Sequence, residues 1–324
     1  QSILQQSKMT ICQMGAGNGK TFFIVQKLDR DSVHTSFWFL SKMHSAKNVI
    51  LSEIKDQIHR KLLKGKLVGI EQNTNKYIIT YVTENNIKKR VIIATLDSCI
   101  YALCPKKREP SINMFIQMAR TIAKDEANIN RNSIRFGGIT FTTNRLLMVI
   151  DEFQDAPAPY AWAVVRVVRD CRFNACVVGD RLQSLYFPNN AFRWLLEHDI
   201  PSSICLIRPK ATNINRRIHN TKLRDDINRI VPFSDFHLRP IAIPEEVKKN
   251  QTGRGMIIQW FKKDDHDGVI ASTLLEVYKN EVNEFGRAPS DFLIIGSTIK
   301  RNGILSRLDS MIRSFWDEEY PLQE

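Results

Sequence analysis

A chain of 324 residues with 43% apolar side chains is long enough for one large or two ordinary packed domains. No apolar stretch approaches the ~20 residues that a membrane-spanning helix needs, so no membrane contact is expected. The formal charge of +13, from 47 Lys and Arg against 34 Asp and Glu, points towards a polyanionic partner.

In chain order, the first expected strand is the apolar run from Met9 to Met14. Gly15-Ala16-Gly17-Asn18-Gly19-Lys20-Thr21 follows, and Phe22-Phe23-Ile24-Val25 then opens a helix. Strand, glycine loop and helix in that order are the setting of a phosphate-binding loop, in which backbone N–H groups close around phosphate oxygens. Lys20 is placed to reach the terminal phosphates of ATP, and Thr21 to set a hydroxyl on Mg²⁺. Met14 stands where the eight-residue form of the loop has its first glycine, while the shorter G-x-G-x-G-K-T form is complete.

Ser36 to Leu40 reads as the second strand. Val49, Ile50, Ile54, Ile58 and Leu62 give helical spacing from Ala46 to about Lys64. Tyr77 to Val82 and Val91 to Ala94 flank Glu84-Asn85-Asn86 as a β-hairpin whose second arm runs on to Thr95. A helix is expected from Ile112 to Ala123, and a turn at Gly137-Gly138.

Leu146-Leu147-Met148-Val149-Ile150 has the composition of a buried parallel strand and ends in Asp151-Glu152-Phe153-Gln154-Asp155. Carboxylates at such a strand end sit where doubly wound sheets bind ligands. Asp151 would hold Mg²⁺, and Glu152 would deprotonate the water that attacks the terminal phosphate. Pro157 and Pro159 precede a helix through Trp162, Val164, Val165 and Val168. A third core strand, Ala175 to Val178, ends in Gly179-Asp180-Arg181-Leu182-Gln183-Ser184-Leu185-Tyr186, where the amide of Gln183 suits a terminal-phosphate sensor.

Beyond Ile204 the reading places a helix through Leu223, Ile227 and Ile230, and a connector from Pro232 to Pro244. A strand at Met256 to Phe261, a helix at Val269 to Tyr278 and a strand at Asp291 to Gly296 follow. Basic clusters stand at Lys88-Lys89-Arg90, Lys106-Lys107-Arg108 and Arg216-Arg217. The six cysteines lack zinc-ligand spacing, and Cys12, Cys176 and Cys205 lie in apolar runs. Buried free thiols in a reducing intracellular compartment, cytoplasm or nucleus, are expected.

GAGNGKT, DEFQD and GDRLQSLY, in that order, resemble the UvrD/Rep-like branch of superfamily 1 helicases. The resemblance implies an α/β fold: a P-loop NTPase with a RecA-like parallel sheet and flanking helices, plus the first part of a second RecA-like domain. Residues 1–205 would form the first domain, with short insertions at about 47–93 and 105–140, and residues 206–324 a linker and the partial second domain.

Phe39, Ser41 and Lys42 resemble the family's first strand-contacting motif. Thr95 and Ser98 resemble its G-T-F-H-S segment, with Asp97 in place of the histidine. Tyr186 or Phe187 would take the base-stacking role. Arg216, in Asn213-Ile214-Asn215-Arg216-Arg217, resembles the arginine that contacts the terminal phosphate, with Arg208 as its competitor, and Gln1 falls near the adenine-reading glutamine.

The fifth and sixth motifs of the family have no counterpart after Arg217, so a truncated motor is expected. What the resemblance implies is an ATP- and Mg²⁺-dependent DNA helicase or translocase moving 3′→5′ on single-stranded DNA. Replication or repair proteins would be further partners. The variant arginine motif and short insertions resemble helicases of large DNA viruses, which would place the protein in a viral factory. The alternatives are an ATP-gated nucleic-acid clamp that does not unwind, and an RNA-directed superfamily 1 enzyme. The latter is second choice because such enzymes carry G-D-P-x-Q-L.

Overall fold

The computed structural model describes residues 6–15, 18–73, 76–104, 111, 113–124, 133–180, 183–184, 189–209, 225–226, 228–229, 266–286 and 303–319. The chain divides into two compact units, Gln1–Met256 and Ile257–Glu324.

The first unit is built on an eight-stranded sheet. Its strands are β1 (Ser7–Gln13), β2 (Ser36–Ser41), β3 (Lys66–Asn73), β4 (Lys76–Val82), β5 (Lys88–Thr95), β8 (Leu146–Asp151), β9 (Asn174–Gly179) and β10 (Ile204–Ile207). They lie in the order β10-β1-β9-β8-β2-β5-β4-β3. The six strands from β10 to β5 are mutually parallel, and β4 and β3 extend the sheet antiparallel. A separate hairpin pairs β6 (Ser133–Phe136) with β7 (Ile139–Thr142). Its turn residues Gly137 and Gly138 both have positive φ, 65° and 85°, which is what a tight two-residue hairpin loop requires.

The central strands read as unbroken apolar runs because both of their faces are covered. In β2, Trp38 and Leu40 point to one core and Phe37 and Phe39 to the other. The first core takes its cover from α4 (Leu96–Leu103), α5 (Met114–Ala123), α6 (Ala158–Cys171) and α7 (Ala191–Glu197). The second is covered by α1 (Lys20–Val25), α2 (Lys27–Arg30) and α3 (His44–His59). Trp38 anchors the first core, with Phe136, Phe141 and Phe173 at ring-centroid distances of 4.9, 5.5 and 6.2 Å. The expected α/β class, a largely parallel sheet with helices on both faces, is what these residues form.

Three local expectations need correction. The helix expected at Ala46 to Lys64 is His44–His59, and its buried face runs through Lys47, Ile50, Leu51, Ile54 and Gln57. Val49 is 55% exposed, and Leu62 lies past the helix end, where Lys61 takes a positive φ. The segment expected as an insertion from about 47 to 93 supplies α3 and two strands that widen the main sheet. Of these, β3 was not foreseen, because its residues are almost all exposed and carry no alternating pattern.

Among the described residues the second unit has two packed helices, α8 (Asp267–Phe285) and α9 (Ile304–Glu319). Tyr278 and Val282 meet Leu308 and Phe315, and the Trp316 indole donates to the Tyr278 hydroxyl at 2.6 Å. Gly286 caps α8 in the left-handed conformation. The expected helix at Val269 to Tyr278 lies within α8. The strands expected at Met256 to Phe261 and Asp291 to Gly296 fall outside the described residues, as do Leu223, Ile227 and Ile230 of the expected helix, while Asp225, Asp226, Asn228 and Arg229 between them are helical. Among the described residues no helix is long and apolar enough to cross a membrane.

Candidate functional site

The parallel strands set their C-terminal ends side by side. Ser41 pairs with both Thr95 and Asp151, Gln13 pairs with Gly179, and the Met14 amide donates to the Gly179 carbonyl at 3.0 Å. The loops that leave these ends therefore share one edge, where open parallel sheets bind ligands.

The glycine loop enters α1 through Gly19, which stands in the left-handed region at φ 72°, ψ 41°. A side chain there would strain the backbone, so the glycine is dictated by the turn. That turn drives Lys20 into the protein, where it is only 7% exposed. Its ammonium lies 3.4 Å from Glu152 Oε1 and donates to Gln183 Oε1 at 3.1 Å. The next side chain, Thr21, donates from Oγ1 to Asp151 Oδ2 at 2.8 Å, joining residues 130 apart in sequence. Lys20, Thr21, Asp151, Glu152 and Gln183, five of the residues singled out from sequence, are thus brought together.

Asp151 is 2% exposed. Burial, and after it the charge of Glu152, pushes its carboxyl up to about 6, against the lowering effect of Thr21 and Lys20. Asp155 is raised for the same two reasons in the same order. A hydroxyl and a buried carboxylate short of positive charge are hard oxygen donors that fit Mg²⁺, which takes most of its remaining ligands from water and phosphate. Among the described residues no group of three or more His, Cys, Asp or Glu forms an all-protein metal cage.

Glu152 itself holds φ 51°, ψ 48°, left-handed for a non-glycine residue. Such a conformation costs on the order of 1 kcal/mol and persists only where the surroundings hold it. Here the Glu152 amide donates to Asp151 Oδ1 at 3.0 Å, and Gln154 Nε2 donates to Glu152 Oε2 at 2.6 Å.

No protein-family model matches the sequence, and no curated protein sequence does. Among solved structures, two of the large terminase ATPase domain from Thermus phage P74-26 are similar over 72% of this chain and 88% of theirs. Sequence identity is 8% and the TM-scores are 0.35 and 0.34. The large terminase of a thermophilic bacteriophage, in complex with ADP, is similar over 71% of this chain and 46% of its own, at 12% identity and a TM-score of 0.35.

Gln154 is the residue that sequence reasoning quoted without giving it a part. Besides reaching Glu152, it accepts the Asp180 amide on Oε1 at 3.0 Å, and its carbonyl accepts from the Ser184 hydroxyl at 3.2 Å. Asp180 Oδ1 in turn accepts from Gln13 Nε2 at 3.0 Å. The ends of β1, β8 and β9 are knitted through these amides. Gly179 makes room for this: a Cβ there would lie 2.8 Å from Gln154 Oε1 and 2.8 Å from the Phe192 ring. Gly179→Ala is expected to cost about 1–3 kcal/mol through overpacking, read as a lower urea midpoint with an unchanged slope.

The residues expected on a nucleic-acid strand fare unevenly. Phe39 is corrected: it is fully buried, packed near Phe37 at 6.1 Å between centroids, and cannot meet a strand. In a strand covered on both faces its side chain falls to the α1–α3 core. Thr95 is also corrected, being 1% exposed with its hydroxyl capping α4 against the Ser98 amide and hydroxyl, at 3.2 and 2.8 Å. Ser41 is buried at the same edge, and its hydroxyl has no hydrogen-bond partner among the described residues. Lys42 donates to both oxygens of Asp97 at 2.6 Å and to the Tyr160 hydroxyl at 3.3 Å, with its cation 5.1 Å from the Tyr160 ring centroid. Tyr160 also donates to Asp97. Burial and then the Asp97 charge raise the Tyr160 hydroxyl, so it stays protonated as that donor. No sequence signal marked Tyr160, which sits 63 residues from Asp97.

Arg208, the competitor for the arginine role, donates to the Leu195 carbonyl at 3.0 Å. Gln1, Ala16, Gly17, Tyr186, Phe187 and Arg216 lie outside the described residues. Among the described residues no cysteine forms a disulfide; Cys12, Cys99, Cys104, Cys171 and Cys176 are buried, as expected, while Cys205 is half-buried.

Proposed function

We propose that this chain is an Mg²⁺-dependent ATPase of the P-loop class with a RecA-like core, and that hydrolysis drives movement along nucleic acid. The observation that carries the nucleotide half is the meeting of Thr21 with Asp151 at the strand ends, beside a Lys20 held between Glu152 and Gln183. Gly15 to Gly19 would wrap the phosphates, with Lys20 turning from Glu152 and Gln183 to the terminal phosphates. Thr21 and Asp151 would hold the metal ion, which when bound neutralises phosphate charge. Glu152 would then take the proton of the attacking water, Gln183 would contact the terminal phosphate, and Arg216 would add a cation.

The track we propose is single-stranded DNA, with 3′→5′ movement, replication or repair proteins as partners and RNA as second choice, on the strength of the motif resemblance and the charge of +13. The test is Mg²⁺-dependent ATP hydrolysis, measured with and without single strands. Absence of hydrolysis from the wild-type chain would sink the reading.

One observation favours a second reading, an ATP-gated clamp without unwinding: Lys42 is already neutralised by Asp97, and Phe39 is buried. ATP hydrolysis with and without single strands separates the two: stimulation by the strand supports the motor, and hydrolysis that does not respond to a bound strand supports the clamp.

A further inference from the structure

The basic cluster Lys88-Lys89-Arg90 has no part in the site above. In β5 its side chains alternate. Lys89 is 1% exposed, donates to the Asp31 carbonyl and lies 5.0 Å from the Phe37 ring centroid. Lys88 and Arg90 point the other way, into a cavity of about 360 Å³ that they share with Arg145, Thr35, Ser36, Thr140, Thr142, Ile139 and Phe141.

The sheet places these groups together. Arg90 pairs with Ser36, Ser36 pairs with Leu146 next to Arg145, the Thr35 amide donates to the Arg145 carbonyl at 3.1 Å, and the Arg90 amide donates to the Thr35 carbonyl at 2.9 Å. The second sheet's β7 closes the remaining side. The cavity thus sits at the N-terminal ends of the parallel strands. Since β2 runs from Ser36 to Ser41, about 17 Å of strand separates it from the Lys20–Asp151 edge.

We infer that this cavity binds the phosphodiester backbone of nucleic acid. Its described lining residues gather three cations and four hydroxyls with no carboxylate among them, in a chain that has 34 acidic residues to place. No ion pair neutralises Lys88, Arg90 or Arg145 among the described residues. A cluster of like charges with hydroxyl donors in a concavity matches phosphate oxygens, which arginine forks and hydroxyls recognise without reading sequence. Among its described lining residues Phe141 is the one aromatic; it is 3% exposed and turned on Trp38, so none of these residues offers an open ring for base stacking. Contact here is therefore to backbone. The inference extends the nucleic-acid half of the proposed function and gives the molecule a second contact, on the sheet edge opposite the nucleotide.

The test is binding of a fluorescent duplex oligonucleotide to the full chain, without nucleotide, across a salt series. Arg90→Glu with Arg145→Glu is expected to weaken binding on the order of ten-fold at moderate salt. The log–log salt slope should fall by about 1.8, two phosphate contacts at roughly 0.9 each. Basal ATP hydrolysis and melting temperature should be unchanged. The Gln pair at the same positions replaces the Glu pair if the latter melts early. Unchanged affinity and slope in a folded variant would overturn the inference. So would equal, equally Arg90-dependent binding of polyglutamate, or of tripolyphosphate with the oligonucleotide unaffected. Loss of oligonucleotide binding in a chain that hydrolyses no ATP supports this site while removing the motor reading, so the two fail separately.

Discussion

Lys20→Ala is expected to lower Mg²⁺-dependent ATP turnover by roughly 10³-fold or more, about 4 kcal/mol of transition-state stabilisation. The size of the effect follows from burial. The ammonium is 7% exposed, with Glu152 at 3.4 Å and Gln183 at 3.1 Å as its partners. A triphosphate would replace those two weak partners with the charge on which the reaction turns. Glu152→Gln is expected to divide binding from chemistry. The amide keeps the shape and can still meet Gln154, but it accepts no proton, so ATP binds while hydrolysis falls by about 10²–10⁴-fold. Equilibrium binding of a fluorescent ATP analogue beside steady-state phosphate release measures both. Normal turnover in Glu152→Gln would remove Glu152 as the base.

Asp151→Asn is expected to stabilise the ligand-free chain while abolishing its Mg²⁺-dependent activity. The carboxyl rises on folding from 3.8 to about 6, with burial as the main cause and the charge of Glu152 second. Between these values the folded chain binds more protons than the unfolded one, so stability falls as pH rises through that window. Above about 6 the ionised carboxylate remains as a full cost, on the order of 3 kcal/mol from a shift of about two pKa units. An amide escapes that cost, and the Thr21 hydroxyl can donate to it or accept from it. Urea unfolding is therefore expected to show Asp151→Asn more stable by about 1–3 kcal/mol at pH 8, with the gain shrinking towards pH 4. Mg²⁺ with ATP should raise the melting temperature of the wild-type chain and leave that of the variant unmoved. A variant less stable than wild type at pH 8 would contradict this account.

The strands carrying the site were legible because a strand buried on both faces needs apolar residues at every position. Leu146 to Ile150 and Ala175 to Val178 meet that demand, and β8 and β9 stand where those runs lie. The same property hid the orientation of Phe39: from Phe37 to Leu40 every residue of β2 is apolar, so no polar neighbour marks a face and the motif alone could not tell core from edge. An edge strand such as β3 has the opposite difficulty, since exposure removes the apolar pattern. In the site, Lys20 and Thr21 were readable from glycine spacing, and Asp151 from its place at a strand end. The pairing of Lys42 with Asp97 and Tyr160, and the part played by Gln154, arise from contacts between distant segments that local pattern does not encode.

One amide, that of Gln154, touches the loop after β8 through its nitrogen and the loop after β9 through its oxygen. A side chain with one flat, rigid head cannot turn towards the first without pulling on the second. Displacing Glu152 takes a partner from the side chain that also fixes the Asp180 amide, so the loops after β8 and β9 share one hydrogen-bonded link.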